Sequence, residues 1–291
     1  MKPRTKADPW WMLGPSLLAW FVFVFLPLGL AAYQSLFSWD MLTDPVFVGG
    51  ANYGAIAERG ELFKILGRTL GYSVLVVTGS MSLGLALALL LDRPGRFFGF
   101  VRAAIFSAYV VSWVAVALLW VLLLDPDRGV FAAMLRALSL PRIGFLSDPN
   151  VAGASLAGVT VWKITGYAMV VFLAGLRSVP RSLHEAAALD GAYAWHRFRY
   201  VTWPLLRPTA AFVATTSLIV SFQAFDVVRI MTQGGPARAT TLFVYAIYEQ
   251  IFLNLSVGRA SAIAVVYFVV LSLLATLQMR AWRAQTIGRR A

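Results

Sequence analysis

Polar positions divide this chain into six long apolar runs, at 11–35, 66–91, 101–124, 153–176, 206–228 and 259–280. Each is long enough to cross the hydrocarbon core of a bilayer, which takes roughly 20 residues in a helix. Charges, Pro or Gly bound every run, and the fifth is rich in Ser and Thr. The pattern predicts an all-α membrane protein with six transmembrane helices. Lys2, Arg4 and Lys6 precede the first run, as they would in a signal peptide. That run is too long for such a segment, contains Pro27 and lacks a small-x-small cleavage pattern, so a retained helix is expected. Between the third and fourth runs, "FAAMLRALSL" (Phe131–Leu140) has helical spacing and is expected at the interface or packed on the bundle. In the second run Ser80, Gly84 and Ala88 recur every four residues, a spacing of small side chains that lets helices approach closely in lipid.

Composition supports the membrane reading. The 291 residues are 59% hydrophobic and 13% charged, whereas a soluble domain carries about 25% charged residues. No cysteine is present, which excludes disulfides, thiol nucleophiles and cysteine metal sites, and two histidines leave little for a His-rich metal centre. The net charge of +12 is explained by topology without nucleic acid. With the N-terminus in the cytoplasm, the N-tail, the 92–102 and 177–208 loops and the C-tail hold 15 Lys/Arg, against 9 in the outer segments. Eight of the thirteen acidic residues fall outside. The positive-inside rule then places both termini in the cytoplasm.

The polar stretch "EAAALDGAYAWHRFRYVTWPLLRP" (Glu185–Pro208) thus lies on the cytoplasmic face and holds both histidines. Upstream, "RSVPRSLHEAAALDGA" predicts a helix after Pro180, with Ser182 and Glu185 forming a capping box and Gly191 ending it. A second short helix is expected over "AYAWHRFRYV", before Pro204. Read from its residues alone, this elbow suits the lipid headgroups and a docking partner equally.

The spacing of this stretch resembles the EAA loop of permease subunits of bacterial ATP-binding-cassette importers. Glu185-Ala186-Ala187, Gly191 and then Val201-Thr202-Trp203-Pro204 fall in register with the family pattern, with Val for Ile and Trp for Leu. "FLAGLRSVPRSLHEAAALDGA" and the segment Phe222–Phe252, with Phe225-Asp226, Thr232 and Gly234-Gly235-Pro236, resemble the carbohydrate and glycerol-phosphate branch. The resemblance implies the type I importer permease (MetI-like) fold, in a bacterial cytoplasmic (inner) membrane. It implies an N-terminal part over 1–65, a permease core over 66–280 with its coupling loop at 177–208, and a tail over 281–291. Ser182, Glu185, Ala186, Ala187, Asp190, Gly191 and Pro204 would couple to the ATPase. Partners would be a homologous second permease, two ATPase subunits and an extracytoplasmic substrate-binding protein. ATP and Mg would sit on the ATPases, with no cofactor on this chain, which lacks a G-x-x-x-x-G-K-[ST] loop. The expected solute is a sugar, polyol or glycerol-phosphate compound.

Inside the spans, Thr160, Lys163 and Tyr167 share one helix face, and Ser217 and Ser221 share another, with Gln223 and Asp226 beyond them. An ionisable residue within a span marks a candidate functional site. Thr160, Lys163, Tyr167, Ser221 and Gln223 form the predicted substrate path, with Lys163 either facing the path or bracing two helices. Asp226 fits a structural role as part of its "FD" motif. An ion-coupled secondary transporter would need more intramembrane carboxylates and an inverted repeat. An intramembrane hydrolase would need a facing nucleophile and base. Neither pattern is present, so a non-catalytic transport subunit is expected.

Overall fold

The computed structural model describes residues 9–58 and 60–287; the N-tail lysines and arginine and the last four residues of the C-tail lie outside the described residues. The chain is almost entirely helical. It runs through α1 (Pro9–Trp20), a π turn at Phe21–Phe25, and α2 (Leu26–Gln34), then a two-stranded ribbon of β1 (Phe37–Ser38) and β2 (Val46–Phe47). Next come α3 (Ala51–Glu58), α4 (Glu61–Leu91), α5 (Arg96–Val110), α6 (Trp113–Leu123), α7 (Val130–Ala137) and α8 (Ala152–Arg177). The elbow is α9 (Arg181–Leu189) and α10 (Ala194–Arg197); α11 (Trp203–Phe222), α12 (Asp226–Met231), α13 (Phe243–Tyr248) and α14 (Val257–Ile287) complete the chain. Among the described residues, five helical stretches are long and apolar enough to cross a membrane, and six if the bent pair α5–α6 is one span.

Two compact units divide these elements. In the unit formed by the described residues up to Phe63 with Ala246–Leu271, the ribbon pairs Phe37 with Phe47 in antiparallel register. Asn52 ties it down by donating to the carbonyls of Ser35 and Phe37 at 2.8 and 2.9 Å. The backbone N–H of Val257 donates to Trp39 at 2.9 Å. Sequence pattern gave no warning of this ribbon, because two-residue strands leave no alternation to detect.

The larger unit, Lys64–Tyr245 with the chain from Ser272, is built on α8, whose buried residues run from Ala152 to Gly175. The small stripe of α4 packs on it as expected. Ser80, Gly84 and Ala88 are all buried, and a Cβ at Gly84 would stand 2.6 Å from that of Ala168. Ala88, Leu91, Ala168, Met169, Phe172, Leu173, Ala210 and Val213 form one core, shared by α4, α8 and α11. Short α7 lies where the helical spacing of 131–140 put it, with Phe131 stacked on Trp120 of α6.

Three boundaries differ from the sequence reading. The third run is not one helix: α5 and α6 meet at a 100° bend over Val111 and Ser112, both extended. No Pro or Gly marks the break, so composition alone reads straight through it. The fifth run begins earlier than expected, because α10 continues through a π turn at Phe198–Thr202 into α11. The extra residue of that turn accommodates Pro204, which has no N–H to donate, within the first positions of α11. The second elbow helix is therefore the start of the fifth span and not a separate element. That span also ends earlier, at Phe222, with α12 following after a break.

Candidate functional site

The elbow is set by its backbone. Pro180 stands at the N-cap of α9 and offers no side-chain acceptor; Ser182 lies inside the helix, and no side-chain cap forms. The expected capping box is thus absent, since the helix starts at Arg181 and Ser182 stands two positions past the N-cap that the motif requires it to occupy. The C-terminal end is as predicted. Gly191 has φ +77°, its N–H donates to Ala188, and the Ala192 N–H donates to Ala187. This is the paired bonding of a Schellman ending, which satisfies carbonyls the helix would otherwise leave open. Glu185, Ala186 and Asp190 are exposed and Ala187 is half-buried. Leu189 is 91% exposed, and Trp195 and Tyr200 are exposed by 63% and 71%. A stacked pair, Trp195 on Phe198 at 5.8 Å, stiffens the turn into α11.

Beside the elbow, a cavity of about 480 Å³ lies among Asp92, Arg93, Arg177, Arg181 and His184. Arg177 pairs with Asp92 at 3.4 Å, tying the end of α8 to the loop after α4. This link joins residues 85 apart in the chain, and no local sequence signal could have revealed it.

The polar residues within the bundle separate into two groups. Thr160, Lys163 and Ser221 are buried in helix contacts. Thr160 shares a hydrogen bond with the Tyr72 hydroxyl at 2.6 Å. Ser221 donates within the α4–α11 contact, with Ser73 at 2.8 Å, and Ser80 reaches Ser217 at 3.0 Å. Lys163, 1% exposed, sends its ammonium to the end of α5 and donates to the carbonyls of Ala108 (3.2 Å), Tyr109 (3.1 Å) and Val111. Its Nζ also lies 4.8 Å from the Trp113 ring centroid. One turn along α8, Gly166 allows the approach, because a Cβ there would meet the Ile105 carbonyl at 2.5 Å. In lipid, broken backbone needs internal partners, and Lys163 supplies them at the bend.

Tyr167 and Gln223 form the second group and line cavities. Tyr167 stacks on Tyr109 with centroids 5.0 Å apart, beside a cavity of about 210 Å³ that Thr216, Ser217 and Val220 also line. A neighbouring cavity of about 230 Å³ is lined by Trp113, Val220, Gln223, Phe225 and Asp226. Of the five predicted path residues, then, two border these spaces and three do not. The aromatic residues Trp113 and Tyr109 were missed, because only the bend over Val111 and Ser112 brings them here.

The glycine motif has a local structural cause. Gly234 has φ +78°, and a Cβ on it would meet Tyr245 at 2.6 Å and the Thr241 hydroxyl at 2.9 Å. Thr240 donates to the Gly235 carbonyl at 2.7 Å, and Tyr245 donates to that of Gln233 at 2.8 Å.

A helical bundle with several apolar spans, small cavities among its helices and an exposed elbow is a multi-pass membrane protein. Residues 80–285 match the family described as binding-protein-dependent transport system inner membrane component, and the chain belongs to that family. It is 34% identical over 281 residues, 94% of each chain, to the sn-glycerol-3-phosphate transport system permease protein UgpA of Agrobacterium fabrum. It is 28% identical over 271 residues, 93% of this chain and 92% of the other, to a probable starch degradation products transport system permease protein, AmyD, of Thermoanaerobacterium thermosulfurigenes. A bacterial transporter involved in the import of the acidic polysaccharide alginate has the same fold, with a TM-score of 0.80 over 94% of each chain at 22% identity. The expected type I importer fold and the role of a non-catalytic permease in the membrane both hold. Among the described residues no cluster of His, Cys, Asp or Glu could hold a metal ion.

Proposed function

We propose that this chain carries a sugar, polyol or glycerol-phosphate-type solute through the cytoplasmic membrane, paired with a homologous permease. A substrate-binding protein delivers the solute from outside. Two ATPase subunits, which hold ATP and Mg, seat on the elbows of the two permeases. Both termini and the 177–208 loop face the cytoplasm. The path runs by Tyr167 and Gln223, with Thr160, Lys163 and Ser221 as the framework behind it.

The observation that carries this reading is the elbow. Three of its apolar side chains are exposed: Leu189 at the end of α9, and Trp195 and Tyr200 on the helical segment that continues into the fifth span. Isolated surface hydrophobics are ordinary, but a run of them on one elbow marks a contact surface. From α10 onward, force passes into α11 with no break, because α10, the π turn and α11 form one helix. Co-purification of the ATPase with the wild-type permease pair, and its loss with Glu185→Lys and with Gly191→Leu, tests the role. Gly191→Leu forces a branched side chain into the left-handed region, at a cost of roughly 1 kcal/mol or more. Full ATPase attachment and full transport-coupled hydrolysis in both variants would remove the elbow from the mechanism.

A further inference from the structure

The buried lysine and the resemblance to glycerol-3-phosphate permeases both suggest an anionic solute. The geometry points the other way. We infer that this chain's wall of the path is selective against anions and fits a neutral polyhydroxylated solute, with Lys163 taking no part in binding it. This rests on the path reading above and names the charge class of what passes.

The first step is to count donors. An ammonium has three N–H groups and no acceptor. The carbonyls of Ala108, Tyr109 and Val111 take all three from Lys163, and the Trp113 ring lies against the same charge. The side chain is 1% exposed and borders neither cavity. A phosphate could recruit it only by freeing at least one of these carbonyls at a helix break, where an unpaired backbone group is costly.

The second step concerns what the cavities present. Tyr109, Tyr167 and Trp113 offer ring faces and Gln223 an amide that both donates and accepts; the Thr216 hydroxyl, whose hydrogen goes to the Phe212 and Val213 carbonyls, can only accept, and the Ser217 hydroxyl, which accepts from Ser80, keeps its hydrogen to give. Ring faces with donor and acceptor groups suit the C–H faces and hydroxyls of a sugar or polyol. Sites for phosphate or carboxylate are built instead from Arg or Lys in paired geometry, and no Lys or Arg lines either cavity. Arg229, one turn beyond Asp226 on α12, lines neither. The charged lining residue is Asp226, a carboxylate that repels a phosphate monoester of about −1.5 to −2 charge. Both cavities share Val220 on α11, and Asp226 lines the one that also holds Gln223.

Because the chain has no cysteine, single thiols report this field directly. Gln223→Cys and Thr216→Cys are made in the complete complex. Each is treated with methanethiosulfonate reagents of positive, negative and zero charge, nucleotide-free and trapped with ATP and vanadate. Rates are divided by those for a small free thiol. The cationic reagent is expected to react at least about tenfold faster than the anionic one at Gln223→Cys, and adding Asp226→Asn should remove most of the preference. Equal rates, or faster reaction of the anionic reagent, would overturn the charge assignment while leaving the path in place. No reaction at either position in either state would remove the path itself. Uptake of radiolabelled sn-glycerol 3-phosphate by the same complex with its binding protein is expected at background, and accumulation against a gradient would overturn the inference.

Discussion

Lys163 is the residue whose role the side-chain geometry decides. From the sequence it could face a path or brace two helices; its three carbonyl partners place it at the α5–α6 bend. Replacing it with Met keeps the length and removes every donor, leaving buried carbonyls unpaired at about 1–3 kcal/mol each. Lys163→Met is therefore expected to lower the thermal midpoint of the purified permease pair by several degrees and to reduce recovery of the assembled complex. A stable complex with an unchanged midpoint would contradict the brace. Tyr167→Ala should behave in the opposite way: it is half-buried beside a cavity, so assembly is expected to survive while uptake falls. Gly191 was legible as a helix-ending residue because a positive φ excludes most side chains. Ser182 was misread because a capping box depends on where the helix starts, and Pro180 sets that start two residues before the motif's requirement.

At the scale of elements, the close packing of α4 on α8 sets the frame. Gly84 and Gly79 face Ala168 and Val161 with no room for a Cβ. Gly84→Leu would push the two helices apart, and overpacking of this kind costs about 1–3 kcal/mol. The expected result is a lower unfolding midpoint, whereas Gly71→Ala, where a Cβ meets nothing, should leave it within error. The small-residue spacing made the α4 contact face readable without naming its partner. The bend between α5 and α6 was unreadable, since Val111 and Ser112 are ordinary residues inside an apolar run. Tertiary partners, and not local propensity, stabilise that break. The continuity of α10 with α11 was hidden for a related reason: Pro204 reads as a helix stop, and a π turn is what lets the helix pass it.

For the whole molecule, the proposed orientation rests on the distribution of charge between the spans, and the Cys-free background tests it. A cysteine replacing Arg238 is expected to react with an impermeant maleimide in intact cells, and one replacing Arg197 only after permeabilisation. Labelling in the reverse pattern would invert the topology. Both sites are suited to this use, as Arg238 is exposed and Arg197 lies in the elbow. The sequence by itself determined the helical membrane class, the approximate spans, the polar elbow between two of them and the family, because hydropathy and motif spacing are properties of position along the chain. Only the tertiary structure decided which polar residues line a cavity and which hold helices together. Lys163 and Tyr167 lie four positions apart on α8 and share a face, yet one is consumed by backbone carbonyls and the other borders a space. What separates them is the bend in a different helix, which presents open carbonyls to the first and an aromatic ring to the second.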